Sequence, residues 1–534
     1  MELAAVFKEG MILQQNRINR IWGRAGEGEK IEIEFLDKHY LTQADNGEWH
    51  IDLEPAKVGG PYEMTVKGSA SVEVVFKDIL VGEVWFAGGQ SNMELELQNS
   101  DNGVSVCENA DNDWIRFYNV PKHAMVDDEL IELEKSTCWK KACGMQIADV
   151  SAVAFYFAKK LYEVLQVPIG LIDCYLGGTS ATCWVPEESL SDISEVSGYI
   201  DEWKEVIASK SDEQYEAEMK DYNARVDEWN AKVEKLRADD PDISWEKINE
   251  AAGSYPWPQP KGASSLYRPF GLYESMVRRV VPYGIKGFIY YQAEEDRSRA
   301  ACYAKLNQAV IDCWREDFSL GEKEDIPFII TQLPMFAEKG NEAIDDFETL
   351  RMQQEQVFLQ NDNMGMAVII DCGEYDNVHP TDKETPGNRL ALQALGRFYG
   401  KIERFDNMRV REVNFCNDVV IVAFDNTYGE LRARYADAHT LTARYEETEV
   451  PAKVLPSEKI LGFEISGDGT HFYPAKVLVV GEKIKLSCDS VKTPKAVRYG
   501  VTEYGVVNLY NAAGLPLAPF IYASKQYINK ETQV

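Results

Sequence analysis

Basic residues are scarce in this chain: 56 lysines and arginines stand against 88 aspartates and glutamates, for a net charge of −32. Such a surface repels polyanions, which argues against nucleic acid and anionic membranes as partners. It also leans toward a neutral small-molecule substrate over an acidic one. Long apolar runs are missing: no stretch reaches the roughly 18 residues a spanning helix needs, so no membrane span is predicted. The first ten residues lack a basic segment leading into an apolar core, and no export signal is read there. The ten cysteines include no C-x-x-C pair and no zinc spacing with histidine. Reduced thiols in a cytoplasmic setting are the expectation. Neither an internal repeat nor a phosphate loop of the Gly-x-x-x-x-Gly-Lys type occurs. Histidine is also scarce, with six in 534 residues, a fact that narrows the search for a general base.

What is present is globular. The chain is 45% hydrophobic and 11% aromatic, and its 534 residues exceed what one core usually organises. Residues 1–76 alternate short β-rich runs with turns. Lys30-Ile-Glu-Ile-Glu-Phe35 has strict period two, and Asn46-Gly47 and Gly59-Gly60-Pro61 are turn signals, as in a small β-sandwich. Residues 77–402 read as α/β, with strands predicted at Ile79–Ala87, Pro168–Leu176, Gly284–Tyr291, Ile326–Pro334 and Met366–Cys372. Helices are predicted over Val150–Leu165 and from Gly387 to Tyr399. Within this region, 187–262 shifts composition. Tyr215, Met219, Tyr222, Val226, Trp229, Val233 and Leu236 form a heptad seam, predicting a helical hairpin closed by Pro241 and the Pro256–Pro260 stretch. That aromatic seam is read as packing. From 403 to 534 the β pattern resumes, with strands at Val419–Phe424 and Lys476–Val480.

The chemistry concentrates where Ile79–Ala87 runs into Gly88-Gly89-Gln90-Ser91-Asn92-Met93. Two glycines after a buried strand allow a sharp turn that presents the serine at the sheet's carboxyl edge, where open α/β sheets bind ligands. Met93 stands where the nucleophile elbow of α/β-hydrolases has its second glycine. Gly177-Gly178-Thr179-Ser180 forms a second glycine turn after a strand, fit either to supply an oxyanion N–H or to be a plain loop. A serine nucleophile needs a base. His39, His50, His439 and His471 fall in the presumed β-domains and His123 in a polar loop, leaving His379 just past an α/β strand. Asp376, three residues upstream, is spaced to accept from its Nδ1–H and fix the tautomer.

Gly89-Gln-Ser-Asn-Met93, Gly170-Leu-Ile with Gly177-Gly-Thr and Trp184, Tyr291-Gln-Ala-Glu294, and Asp376-x-x-His379-Pro380 with Gly387-Asn-Arg-Leu390 occur in one order. In that order they resemble the signature blocks of SGNH hydrolases, in the branch of sialate O-acetylesterases and acetylxylan esterases. Met11-Ile-Leu-Gln14, Trp22-Gly23 and Gly59–Tyr62 are similar to the same family's leading domain. The resemblance covers roughly residues 1–400. It implies a flavodoxin-like three-layer SGNH domain with a helical insertion, flanked by N- and C-terminal β-sandwich domains. Under it, Ser91 is the nucleophile, His379 the base, and Asp376 or alternatively Glu294 the orienting acid. Of the two acids, Asp376 is favoured because its local geometry needs no long-range contact.

The same resemblance assigns oxyanion donors to Ser91, Gly178 and Gln292, and substrate contacts to Asn92, Met93, Trp184 and Tyr291. It implies an acetylated sugar or oligosaccharide as substrate, with no metal or organic cofactor and with homo-oligomer formation open. Relatives commonly read Gly-Glu-Ser-Asn where this chain has Ala293-Glu294-Glu295-Asp296. Alanine would be strained at a positive-φ position, and two extra carboxylates would disfavour an anionic ligand if both faced inward. That departure motivates the competing reading of a carbohydrate-binding protein that kept the fold and lost activity.

Overall fold

The computed structural model describes residues 1–240, 243, 245–320, 325–338, 346–433 and 460–524. Pro241 and His439 lie outside them. One strand, Val74–Gly89, ties the architecture together. Its first half pairs antiparallel with Gly59–Gly68 and parallel with Ile12–Gln14. Its second half pairs in parallel with Ile169–Tyr175 on one side and Gly287–Tyr291 on the other. The division anticipated between residues 76 and 77 thus falls inside a single strand, because Ile79–Ala87, apolar but for Glu83, stays paired along its length.

Across the α/β part the order is Trp139–Cys143, Asp111–Asn119, Ile169–Tyr175, Val74–Gly89, Gly287–Tyr291, Phe328–Gln332 and Met364–Val368. All these pairings are parallel except the first. Strands buried on both faces read as continuous apolar runs, and side chains alternate between the faces. Trp85 points to one face, its ring 5.1 Å from Phe157 in helix Ala152–Leu165. Phe86 points to the other and meets Trp314 of helix Tyr303–Asp317 at 5.0 Å. Helix Glu384–Gln393 packs on the first face. There Gly387 permits close approach: a Cβ would lie 2.7 Å from both the Val153 carbonyl and Tyr156 Cβ.

The predicted strand over Met366–Cys372 instead occupies Met364–Val368. Beyond it Asp371 leaves the ladder and pairs with Arg389, whose Nη2 donates to Oδ2 at 2.8 Å. Small antiparallel sheets flank the large mixed one. In the N-terminal part Glu2–Leu3, Asn19–Arg24 and Glu48–Leu53 form a separate three-stranded sheet. C-terminally, two four-stranded sheets are built from residues 409–425 with 476–487, and from 463–474 with 496–523. They dock through Glu503, which accepts from the Phe347 N–H at 3.1 Å, and Tyr510, whose hydroxyl donates to Asp371 at 3.0 Å.

The insertion is helical over Ser197–Ser209, Asp212–Asp239 and Trp245–Ala252. Ser211 and Gln214 form a capping box at the start of the long helix. Seam residues Tyr215, Tyr222 and Val233 are buried, and Trp229 stacks on Trp245 at 6.4 Å. The seam is packing.

Candidate active site

Every strand that carries a candidate residue ends at the same sheet edge. Gly89 lies in register with Tyr175 on one neighbour and Tyr291 on the other. Gly89 must be glycine: φ is 140°, and a Cβ would sit 2.1 Å from the Tyr291 carbonyl oxygen. At Gly88 a Cβ would come within 2.6 Å of the Trp314 ring. With no side chains in the way, the chain turns abruptly and leaves Ser91 half-buried on a one-turn helix, Ser91–Glu94. The second glycine turn abuts it, since a Cβ on Gly177 would lie 3.1 Å from Ser91 Cβ.

The residues beside Ser91 and His379 meet. Asn92 donates from Nδ2 to the Val378 carbonyl at 2.9 Å and to Glu294 Oε1 at 2.6 Å. Its Oδ1 accepts from Lys383 Nζ at 2.6 Å. One buried amide therefore ties the serine turn, the histidine loop and the third block. Among the described residues, the Ser91 hydroxyl and the His379 ring form no hydrogen bond with each other or with a carboxylate. Catalytic hydrogen bonds are often open in unliganded sites. The His379 loop is held by its backbone, with the His379 N–H on Asn377 Oδ1 at 3.0 Å.

The two candidate acids sit differently. Glu294 is buried, accepts from the Ala293 N–H at 3.0 Å as well as from Asn92, and burial raises its pKa. Asp376 takes a left-handed backbone (φ 55°), and its carboxylate accepts from Asn249 of the insertion at 3.4 Å. Burial first, and then the nearby Lys383 charge, lower His379 to a pKa of about 4. Lys383 is itself 1% exposed, and burial lowers its ammonium to about 8. It lies 5.5 Å over the Tyr291 ring.

Several residues expected in the site are engaged inside the protein. Gln292 spends its amide protons on the Thr179 carbonyl (3.1 Å) and Asp296 (2.8 Å), so it cannot also donate to an oxyanion. Trp184 and Met93 are fully buried and Tyr291 is 1% exposed. The Trp184 indole N–H holds Thr179 Oγ1 at 2.9 Å. Asn92 is 1% exposed and acts as the tie described above. Ala293 has φ 163° and ψ −23°, outside the left-handed region that favours glycine and outside the extended and helical regions as well.

Asp296 is fully buried, accepts from Ser180 Oγ (2.6 Å) and the Ala181 N–H (2.8 Å), and pairs with Arg299 at 3.0 Å. Burial and Asp296 push Glu295 up to about 7. The third block therefore adds less negative charge than its composition suggests.

Two residues outside the motifs complete the site. Glu94 accepts from the Gly177 N–H and pairs with Lys122, which takes Gly177 out of contention as an oxyanion donor. The Ser91 and Gly178 N–H groups have no acceptor among the described residues. Lys383 is the other, and its local sequence Thr381-Asp382-Lys383-Glu384 reads as an ordinary solvated helix start. The one His and carboxylate group close enough to share a cation among the described residues is Glu32, Glu34 and His39, on the N-terminal strands.

No family model matches the chain. Human sialate O-acetylesterase is 25% identical over 562 aligned residues, covering 97% of this chain and 92% of that protein. The mouse enzyme of the same name is 25% identical over 429 residues, covering 73% and 72% respectively. In fold, the crystal structure of a carbohydrate acetylesterase from Xanthomonas citri superposes with a TM-score of 0.73 at 26% identity, covering 97% of this chain and 99% of that one. By sequence and by fold, over nearly its whole length, the chain is sialate O-acetylesterase-like and is similar to the carbohydrate esterases.

Proposed function

We propose that the protein hydrolyses acetyl esters on sugars through a serine acyl-enzyme, on an SGNH-type domain. The observation that carries this reading is the Asn92 tie, which joins the residue after Ser91 to the residue before His379. His379 takes the Ser91 proton as the oxygen attacks the acetyl carbonyl. The N–H groups of Ser91 and Gly178 hold the oxyanion, each worth about 10²–10³ in rate. The imidazolium then protonates the departing sugar hydroxyl. Water, activated by the same histidine, attacks the acyl-enzyme and releases acetate. Asp376 orients the imidazole once substrate is bound, with Glu294 as the alternative, and neither step calls for a metal or organic cofactor. Ten free cysteines support a cytoplasmic setting.

The substrate is an acetylated sugar, of the 9-O-acetylated sialic acid or hemicellulose oligosaccharide type. The test is acetate release from acetylated sialic acid and from acetylated xylo-, manno- and xyloglucan oligosaccharides. Release from at least one is expected. Release from none of them leaves the carbohydrate-binding reading in its place.

The pH profile follows from His379. A base must be neutral to act, and this one stays neutral down to about 4 because burial and Lys383 oppose its protonation. The acid limb of kcat/KM, which reports the free enzyme, is expected near pH 4. A limb at the ordinary histidine value would contradict the burial of His379 beside Lys383.

A further inference from the structure

The insertion returns to the sheet edge through residues 255–260, and Trp257 of that stretch is 39% exposed. Single exposed apolar side chains are common and need no explanation. The position of this one is what distinguishes it. Its indole rests on Gly178, where a Cβ would come within 2.4 Å of the ring and φ is +72°. Tyr267 braces it edge-on, with centroids 5.1 Å apart and planes at 85°. Gly177, one residue back, abuts Ser91. The exposed indole therefore covers Gly178, the residue next to the Gly177 that abuts Ser91. The same insertion reaches the other side of the site, where Asn249 donates to Asp376. Chain segments that frame both halves of a catalytic pair are placed to hold the substrate between them.

An indole face carries negative quadrupole density, and a pyranose ring offers a face of C–H groups that packs against it. We propose that Trp257 is the platform on which the sugar ring of the substrate stacks, holding its acetyl group over Ser91 and Gly178. This assignment rests on the esterase reading. Stacking selects for a ring with an apolar face, whatever its charge, and contributes nothing to an ester that lacks a ring.

The test compares acetylated xylo-oligosaccharides and 9-O-acetylated sialic acid with vinyl acetate, whose alcohol portion has no ring. For whichever sugar ester the wild type hydrolyses faster, Trp257→Ala is expected to lower the ratio of its kcat/KM to that for vinyl acetate about 10-fold, mainly through KM. Trp257→Phe, which keeps an aromatic face, restores most of the ratio. An unchanged ratio, or no rescue by phenylalanine, overturns the proposal. If the wild type releases no acetate from any ester, it is the esterase reading that fails. Titration calorimetry with the same two sugars then decides the platform separately. Binding about 10-fold weaker in Trp257→Ala supports it, and equal or absent binding overturns it.

Discussion

Ser91→Ala and His379→Ala each lower kcat for acetate release by about 10⁴–10⁶, and the double variant loses little more, because nucleophile and base act as one unit. Folding is unaffected in Ser91→Ala, since the hydroxyl makes no hydrogen bond among the described residues; matching thermal melts check this. Turnover near the wild-type level in Ser91→Ala would end the acyl-enzyme mechanism. The same assay separates the acids. Asp376→Asn and Glu294→Gln are expected to differ strongly, with the orienting acid costing about 10⁴. Glu294→Gln keeps an oxygen for the Asn92 amide but turns its NH2 toward the Ala293 N–H, so thermal melts accompany its turnover. Small and equal effects from both would reject a carboxylate-oriented base.

Lys383→Met is expected to keep stability near neutral pH within about 2 kcal/mol of the wild type and to lower kcat/KM about 10²-fold. The first figure sets the stranded Asn92 Oδ1, whose hydrogen bond to a charged group is worth roughly 1.5–3 kcal/mol, against the removal of an ammonium whose burial is itself unfavourable. The second follows from loosening Asn92, which positions Ser91, since small misplacements of reacting groups carry penalties of that order. Urea unfolding and acetate release measure the two. A readout that mere packing would not move is the pH profile: without the Lys383 charge, the acid limb set by His379 shifts upward.

Linkage adds a sign. The buried ammonium gives up its proton near 8, whereas its ordinary value is 10.5. Between those values the unfolded chain binds more protons, so this group makes the wild type gain stability as pH rises, and the variant lacks that gain. An unchanged acid limb together with unchanged kcat/KM would remove Lys383 from the site.

What the residues dictate locally could be read in advance. Period two in Lys30–Phe35, apolar continuity in Ile79–Ala87, helical spacing before Leu165 and the heptad seam from Tyr215 each recur as the predicted element. Each is a short-range pattern, imposed by which face of a strand or helix must be buried. Two glycines after a strand also announced the Ser91 turn, and the rarity of histidine singled out His379.

Only the tertiary structure decided which polar groups meet. Asn92 with Val378 and Lys383, Asp296 with Ser180 and Arg299, Gln292 with Thr179, and Glu94 with Gly177 are mostly pairs far apart in the chain. Hydrogen-bond partners have no period and leave no local trace. A glutamine inside a recognisable block thus reads as a donor to substrate until its protons are accounted for. A lysine at a helix start reads as solvated until the sheet edge closes over it. The order of strands, which brings distant loops to one rim, determines both outcomes.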